Sequence, residues 1–281
     1  MVRDGAGYLQ GSLVLLVYLL AGLLLVKTCR ELSLNGGKST FAATLYYLGC
    51  TIVPRLSVDN SEGLAFLLLP TALYLLLKTY RHRFAMGGYF LAFVLVGVAC
   101  MLVPQLLWAM PLLVLCGAFM ESLHGRTLLA ALWGLLCPYW VMAGVLFLTD
   151  RIGEVSLYFQ SLVSPTVAAR ELWSQPLVHG QWVWMLLLVV PAGVKIWFDH
   201  TLRAQANASF RFITIAFVVM LIAAMAIPSV CLALSPCLLL LASLIGSVQF
   251  MDTTRRGWNI YLFILLLLWV LLGGYVYGSI L

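Results

Sequence analysis

Charge is scarce in this chain. Asp, Glu, Lys and Arg make up 9% of its 281 residues, against about a quarter in a soluble globular domain. None stands near the middle of a long apolar run, and Lys195 and Glu121 lie close enough to run ends for their side chains to reach out. Carriers coupled to protons or ions hold such a group at depth, so a transporter of that kind is disfavoured. Metal-ligand spacings are missing as well. The seven cysteines (Cys29, Cys50, Cys100, Cys116, Cys137, Cys231, Cys237) form no CxxC pair, and the four histidines form no HxxxH pair. Neither a zinc site nor a disulfide framework is supported, no cofactor is implied, and the cysteines read as small apolar packing groups. The segment Asn35-Gly36-Gly37-Lys38-Ser39-Thr40 has the tail of a phosphate-binding loop without its head, because Leu32 occupies the place of the first glycine. It reads as a glycine-rich turn with an interfacial lysine.

What the chain has is apolar length. Hydrophobic residues make up 63% of it and gather in runs near twenty rather than in stripes. Lipid is then the solvent, and each run must be a helix that satisfies its own backbone. The expected fold is all-α: one integral membrane domain over 1–281, a polytopic transmembrane helical bundle. Met1 to Gln10 holds one Arg and one Asp, with no small-residue cleavage site after the first run, so that run is expected to stay as a helix. The net charge of +6 comes from bases in short loops at run ends. There they orient a membrane protein, so the expected partner is the lipid bilayer and not nucleic acid.

The stretch Phe84 to Glu121 fixes the layout. It runs for thirty-eight residues with no charge before the final Glu. As one helix it would measure about 57 Å, nearly twice the roughly 30 Å of bilayer hydrocarbon. A turn at Val103-Pro104-Gln105 makes it a hairpin that leaves and returns to one side. The other expected spans are Tyr8–Val26, a short run Phe41–Val53, Gly63–Leu77, Thr127–Thr149 and Trp182–Phe198. Phe212–Ile227 and Ser229–Met251 form a second hairpin turned at Pro228, and Trp258–Ile280 closes the chain. Prolines inside spans, at Pro70, Pro111, Pro138, Pro191 and Pro236, suit either broken helices around a groove or packing kinks.

Counted this way there are ten helices. The loops at 27–40, 78–83, 121–126, 199–211 and 252–257 then hold twelve of the sixteen Lys and Arg, and the other side only Arg3, Arg55, Arg151 and Arg170. The positive-inside rule places the first set in the cytoplasm. If Phe41–Val53 only dips into the membrane, nine helices remain, the N-terminus changes side and every later loop keeps its place. A faint parallel repeat relates the hairpin after Arg83-Phe84 to the one after Arg211-Phe212.

Two outer segments supply the candidate site. Asp59 and Glu62 stand three apart ahead of a span, with Arg55 nearby, so at helical spacing the carboxylates share a face and could bind a metal or act as a general base. The same residues also suit a helix N-terminus: a cap at Asp59, Asn60 or Ser61, with Glu62 in the first turn. The segment Asp150–Gln181 carries Arg151, Glu154, Tyr158, Arg170, Glu171, Trp173 and His179. It suits short helices lying in the outer interface, and Arg151 and Arg170 would be the phosphate contacts for an anionic lipid, with Arg55 and Trp173 beside them. Plain interfacial anchoring is the competing reading.

The stretch "EGLAFLLLPTALYLLLKTYRHRFAMGGYFLAFVLVGVACMLVPQLLWAMPLLVLCGAF", followed by "RTLLAALWGLLCPYW" and the closing "GSVQFMDTTRRGWNIYLFILLLLW", resembles an uncharacterised family of bacterial polytopic inner-membrane proteins. More loosely, the layout is similar to membrane glycosyltransferases that use polyprenyl-phosphate sugars. That similarity implies an acidic base in the first outer loop, here Asp59 or Glu62. The expectation is a multi-pass inner-membrane protein acting as a membrane subunit or scaffold in envelope biogenesis, partnered by another membrane protein. An enzyme or binding protein for a lipid-linked glycan is the alternative, and a transporter the next.

Overall fold

An α-helix satisfies its interior backbone N–H and C=O groups within one segment, and the computed structural model is helical over most of its described residues. These are 2–31, 40–52, 60–82, 85–151, 153, 176–198, 204–226, 228–248 and 256–278. They form ten α-helices and one 3-10 segment, with no strand among them: α1 (Val2–Glu31), α2 (Thr40–Ile52), α3 (Asn60–Leu77), α4 (Met86–Leu102), the 3-10 segment Pro104–Ala109, α5 (Met110–Phe119), α6 (Gly125–Leu148), α7 (Pro176–Phe198), α8 (Ala204–Ala226), α9 (Pro228–Ser247) and α10 (Arg256–Gly278). Gly125–Leu148 and Gln205–Ala223 are each long and apolar enough to cross a membrane by length and composition.

The hairpin expected at Pro104 is present, but its second arm is composite. Proline disfavours the helical region for the residue before it, and Val103 accordingly turns extended (φ −132°, ψ 93°). The chain restarts as the 3-10 segment, and only ten residues, with Pro111 in the first turn, form α5. The arm still returns to its origin, because the Tyr89 and Ser122 hydroxyls lie 2.7 Å apart. By contrast, α3, α6 and α7 run on through Pro70, Pro138 and Pro191. At the second hairpin α8 ends at Ala226 and α9 begins at Pro228.

Several boundaries shift from the sequence expectation. Helix α8 starts at Ala204, so most of the expected basic loop 199–211 is helix. The alternating Ala204, Ala206 and Ala208 are strong helix formers and carry the intervening Gln205, Asn207 and Ser209 with them. Helix α7 starts at Pro176, which takes 176–181 out of the expected interfacial segment; residues 154–175 of that segment lie outside the described residues. Helix α2 matters for the count of ten. It runs against α1 and α9, with Gly49 facing Leu239, Leu45 beside Gly246 and the Tyr47 hydroxyl donating to the Leu19 carbonyl at 3.0 Å. Its Ala42, Leu45 and Tyr46 are buried. At thirteen residues it spans about 20 Å.

Among the described glycines, the closest approach to another helix's backbone is α4 against α6. A Cβ on Gly134 would lie 2.5 Å from the Phe90 carbonyl oxygen, and one on Gly97 would lie 2.6 Å from Pro138 and 2.9 Å from the Leu135 carbonyl. Helices come this close only where small residues face each other. Thr214, Ser243 and Ser247 donate to carbonyls three or four residues back in their own helices.

Because the atom facing Gly134 is backbone, it cannot move aside. Gly134→Ala is expected to destabilise by about 1–3 kcal/mol, as overpacking does. Gly144→Ala, on the same helix with nothing within 4 Å, should be neutral or slightly stabilising. Thermal melts of both variants in one detergent check the pair.

Candidate functional site

The expected site residues fall as follows. Asp59, Arg55, Arg170 and Trp173 lie outside the described residues. Glu62 sits in the first turn of α3, which begins at Asn60, the position the capping reading requires. Arg151 follows α6 in a helix-ending motif. Asp150 takes a left-handed conformation (φ 59°), its N–H donates to Phe147, and the Arg151 N–H donates to the Leu146 carbonyl at 2.9 Å. Glu62 and Arg151 therefore both hold helix-end positions.

The described polar side chains concentrate instead at the opposite end, where α1, α3, α5, α7 and α9 finish and α4, α6 and α8 start. Glu31, the last residue of α1, accepts a hydrogen bond from the Tyr74 hydroxyl and pairs with Lys78 at 3.4 Å. Lys27 lies 3.9 Å from the same carboxylate. Lys27 and Lys78 flank the Tyr74 ring, with their amines 5.5 and 5.9 Å from its centroid. The Tyr74 hydrogen bond, and then the Lys78 charge, hold the Glu31 carboxyl below its ordinary range.

Next to this cluster, two turns are joined. The Arg81 N–H donates to the Met120 carbonyl at 3.0 Å, and its guanidinium pairs with Glu121 at 2.8 Å. Both Arg81 and Glu121 are left-handed (φ 57° and 54°). Beneath them the buried hydroxyls of Thr79, Ser122 and Tyr89 form a chain, with 3.2 Å from Thr79 to Ser122 and 2.7 Å from Ser122 to Tyr89. Thr79 is anchored on the Leu76 carbonyl, and Thr127 binds the Ser122 and His124 carbonyls at the start of α6. The rim continues to α8, where Ser209 approaches the Met120 sulfur, and to α7, where the Lys195 amine donates to the Val248 carbonyl at 3.3 Å. Every one of these loops is one that the charge count placed on a single side.

In the sequence Lys27, Lys78, Arg81 and Lys195 read only as orienting bases and Glu121 as the end of an apolar run. Single Ser, Thr and Tyr residues at run ends are common, and no spacing tells that Thr79, Tyr89 and Ser122 meet. The one available signal was opposite charge on two loops already assigned to one side, Arg81 and Glu121.

Between α3, α5, α8 and α9 lies a narrow apolar cleft, lined by Leu69, Pro70, Leu73, Leu112, Leu113, Phe212, Ala216, Met220, Cys237, Leu240 and Leu241. A second, smaller space shares Pro70, Leu73 and Leu240 with it and reaches Leu24, Thr28 and Tyr74. Pro70 contributes no N–H to α3 and a compact ring, which leaves room along that helix. The cleft has no polar group able to drive a reaction, but its chemistry suits a hydrocarbon chain. Among the described residues no cluster of His, Cys, Asp and Glu could hold a metal ion. The six described cysteines form no disulfide, and Cys29, Cys100, Cys116 and Cys237 are buried.

A carboxylate favoured in the folded state gives stability that is present above its ordinary value of about 4.5 and is lost as pH falls through the lowered folded value. Melting temperature measured from pH 7 down to 3 should therefore fall less steeply for Glu31→Gln than for the wild type, with the two curves converging at the acid end. No family model, curated protein or solved structure matches the chain.

Proposed function

We propose that this chain is a multi-pass protein of the bacterial inner membrane that serves as a membrane subunit or scaffold in envelope biogenesis. The observation that carries the membrane reading is the outer surface of the bundle. Leu15, Leu19 and Leu23 of α1, Phe90 and Leu91 of α4, and Val190 and Val194 of α7 are exposed. So are Val218 and Ile222 of α8 and Phe263, Leu267 and Val270 of α10. On α6 the exposure reaches 81% at Trp140 and 84% at Leu148. Soluble monomers rarely expose apolar patches beyond a few hundred Å², and here helix after helix turns such a face outward. Hydrocarbon accommodates these faces without penalty.

Orientation follows from the rim. The basic loops gather at one end of the bundle, and the positive-inside rule assigns that end to the cytoplasm. The scaffold reading is supported by how the rim's polar groups are used: hydroxyls, carbonyls and ion pairs join one turn to the next. The resemblance to bacterial inner-membrane proteins supplies the envelope context.

The apolar cleft favours a second reading, an enzyme or binding protein for a lipid-linked glycan. Its apolar lining suits a hydrocarbon such as an isoprenoid chain, and α3 leads from the cleft at Pro70 to Glu62 at the far end. In this reading Asp59 or Glu62 is the base, and Arg55, Arg151, Arg170 and Trp173 hold the phosphate.

Cysteine labelling in intact cells tests orientation. Gly153→Cys should react with a membrane-impermeant maleimide, and His124→Cys should react only after permeabilisation; the reverse pattern would overturn the assignment. Affinity purification in mild detergent separates the two readings of function. The scaffold reading expects a stoichiometric protein partner retained by Asp59→Asn and Arg170→Ala. A polyprenyl-phosphate mass present in the wild type and lost in both variants would replace it with the second.

A further inference from the structure

Most cations with described partners at the basic end are committed within the protein. Lys27 and Lys78 share Glu31, Arg81 pairs with Glu121, and Lys195 is turned to the Val248 carbonyl. Arg211 differs. Its guanidinium lies over the Trp197 ring, 5.2 Å from the centroid, which joins the end of α7 to the start of α8. Its Nε is shielded and has no hydrogen-bond acceptor, and the Oδ1 of Asn207 is shielded and has no donor. Four residues apart on α8, the two lie on one face with an axial separation of about 6 Å. An orphan donor and an orphan acceptor, both removed from solvent, are each costly unless a ligand completes them.

We propose that Arg211, Asn207 and Trp197 form a binding site for a phospholipid headgroup that carries a hydrogen-bond donor beside its phosphate, as ethanolamine and glycerol headgroups do. The phosphate accepts from the Arg211 fork, which presents parallel N–H groups that match two phosphate oxygens. The headgroup ammonium or hydroxyl donates to Asn207. Helix α8 begins at Ala204, one turn before Asn207, and the dipole at its start favours a nearby anion. The acyl chains have a surface to follow, since Val194 and Phe198 of α7 and Val218 and Ile222 of α8 are exposed. This inference rests on the membrane reading and adds a ligand to it.

The experiment is native mass spectrometry of the full chain in mild detergent with equal amounts of phosphatidylethanolamine and phosphatidylcholine. Both are zwitterionic with a phosphate, but only ethanolamine retains N–H donors, so general attraction to bases does not separate them. The wild type should retain ethanolamine lipid about tenfold over choline lipid, the factor that one charged hydrogen bond provides. Asn207→Ala should bring that ratio close to one while leaving total lipid bound, and Arg211→Gln should remove both lipids. Melting temperature is followed for each variant, and the wild-type ratio needs no variant at all. A wild-type ratio near one, or an unchanged ratio in Asn207→Ala, overturns the site. Soluble phosphoethanolamine competing as well as the lipid would overturn the headgroup assignment in favour of a small phosphorylated amine. Recovery of folded protein without detergent would instead overturn the membrane reading itself, so the two failures are distinguishable.

Discussion

The join between the turn after α3 and the turn after α5 is the constraint on which this half of the bundle depends. Arg81 and Glu121 both adopt a left-handed backbone that side chains disfavour by roughly 1 kcal/mol or more each. The surrounding bonds hold them there. Ser122 and Leu123 donate to the Gly117 carbonyl, Arg81 donates to Met120, and the two strained residues pair through their side chains. An exposed ion pair contributes little alone. The buried chain of Thr79, Ser122 and Tyr89 beneath it has polar partners on every member, and a satisfied buried network fixes one arrangement over its rivals.

From that join the helices fan out under a second rule, which is close approach between small residues. Gly97 and Gly134 let α4 and α6 touch at backbone distance. In hydrocarbon, where lipid tails are as apolar as leucine, such packing is the available source of association between helices. Trp133, Trp140 and Phe147 point away from the bundle on α6, a poor arrangement in water and a natural one in a membrane.

The two ends of the molecule then differ in kind. At the basic end, side chains from successive helix ends bind one another, with orphan groups left at Arg211 and Asn207. Deeper in, the cleft beside Pro70 is lined by apolar side chains alone. A phosphate belongs to the first environment and a hydrocarbon chain to the second. The proposed headgroup site faces α7, whereas the cleft faces α3 and α5, so the two features lie apart in the fold.

Helical class, the break before Pro104, the resumption at Pro228 and the grouping of basic loops were legible in the sequence. Each follows from a local cause: unbroken apolar length, a missing N–H, or charge beside a run end. The composite second arm was not legible, because a 3-10 segment and an α-helix share composition and differ only in how the chain meets its neighbours. The start of α8 was misplaced for a related reason. Polar residues such as Gln205 and Asn207 look like loop until packing holds them in a helix. Glu62 reads first as a first-turn residue and second as a base, and the start of α3 at Asn60 is compatible with both. Only tertiary structure could bring together Thr79 with Ser122, Glu31 with Tyr74 and Trp197 with Arg211. Those pairs join different helices, and a pattern with a period along one chain carries no information about which face meets which.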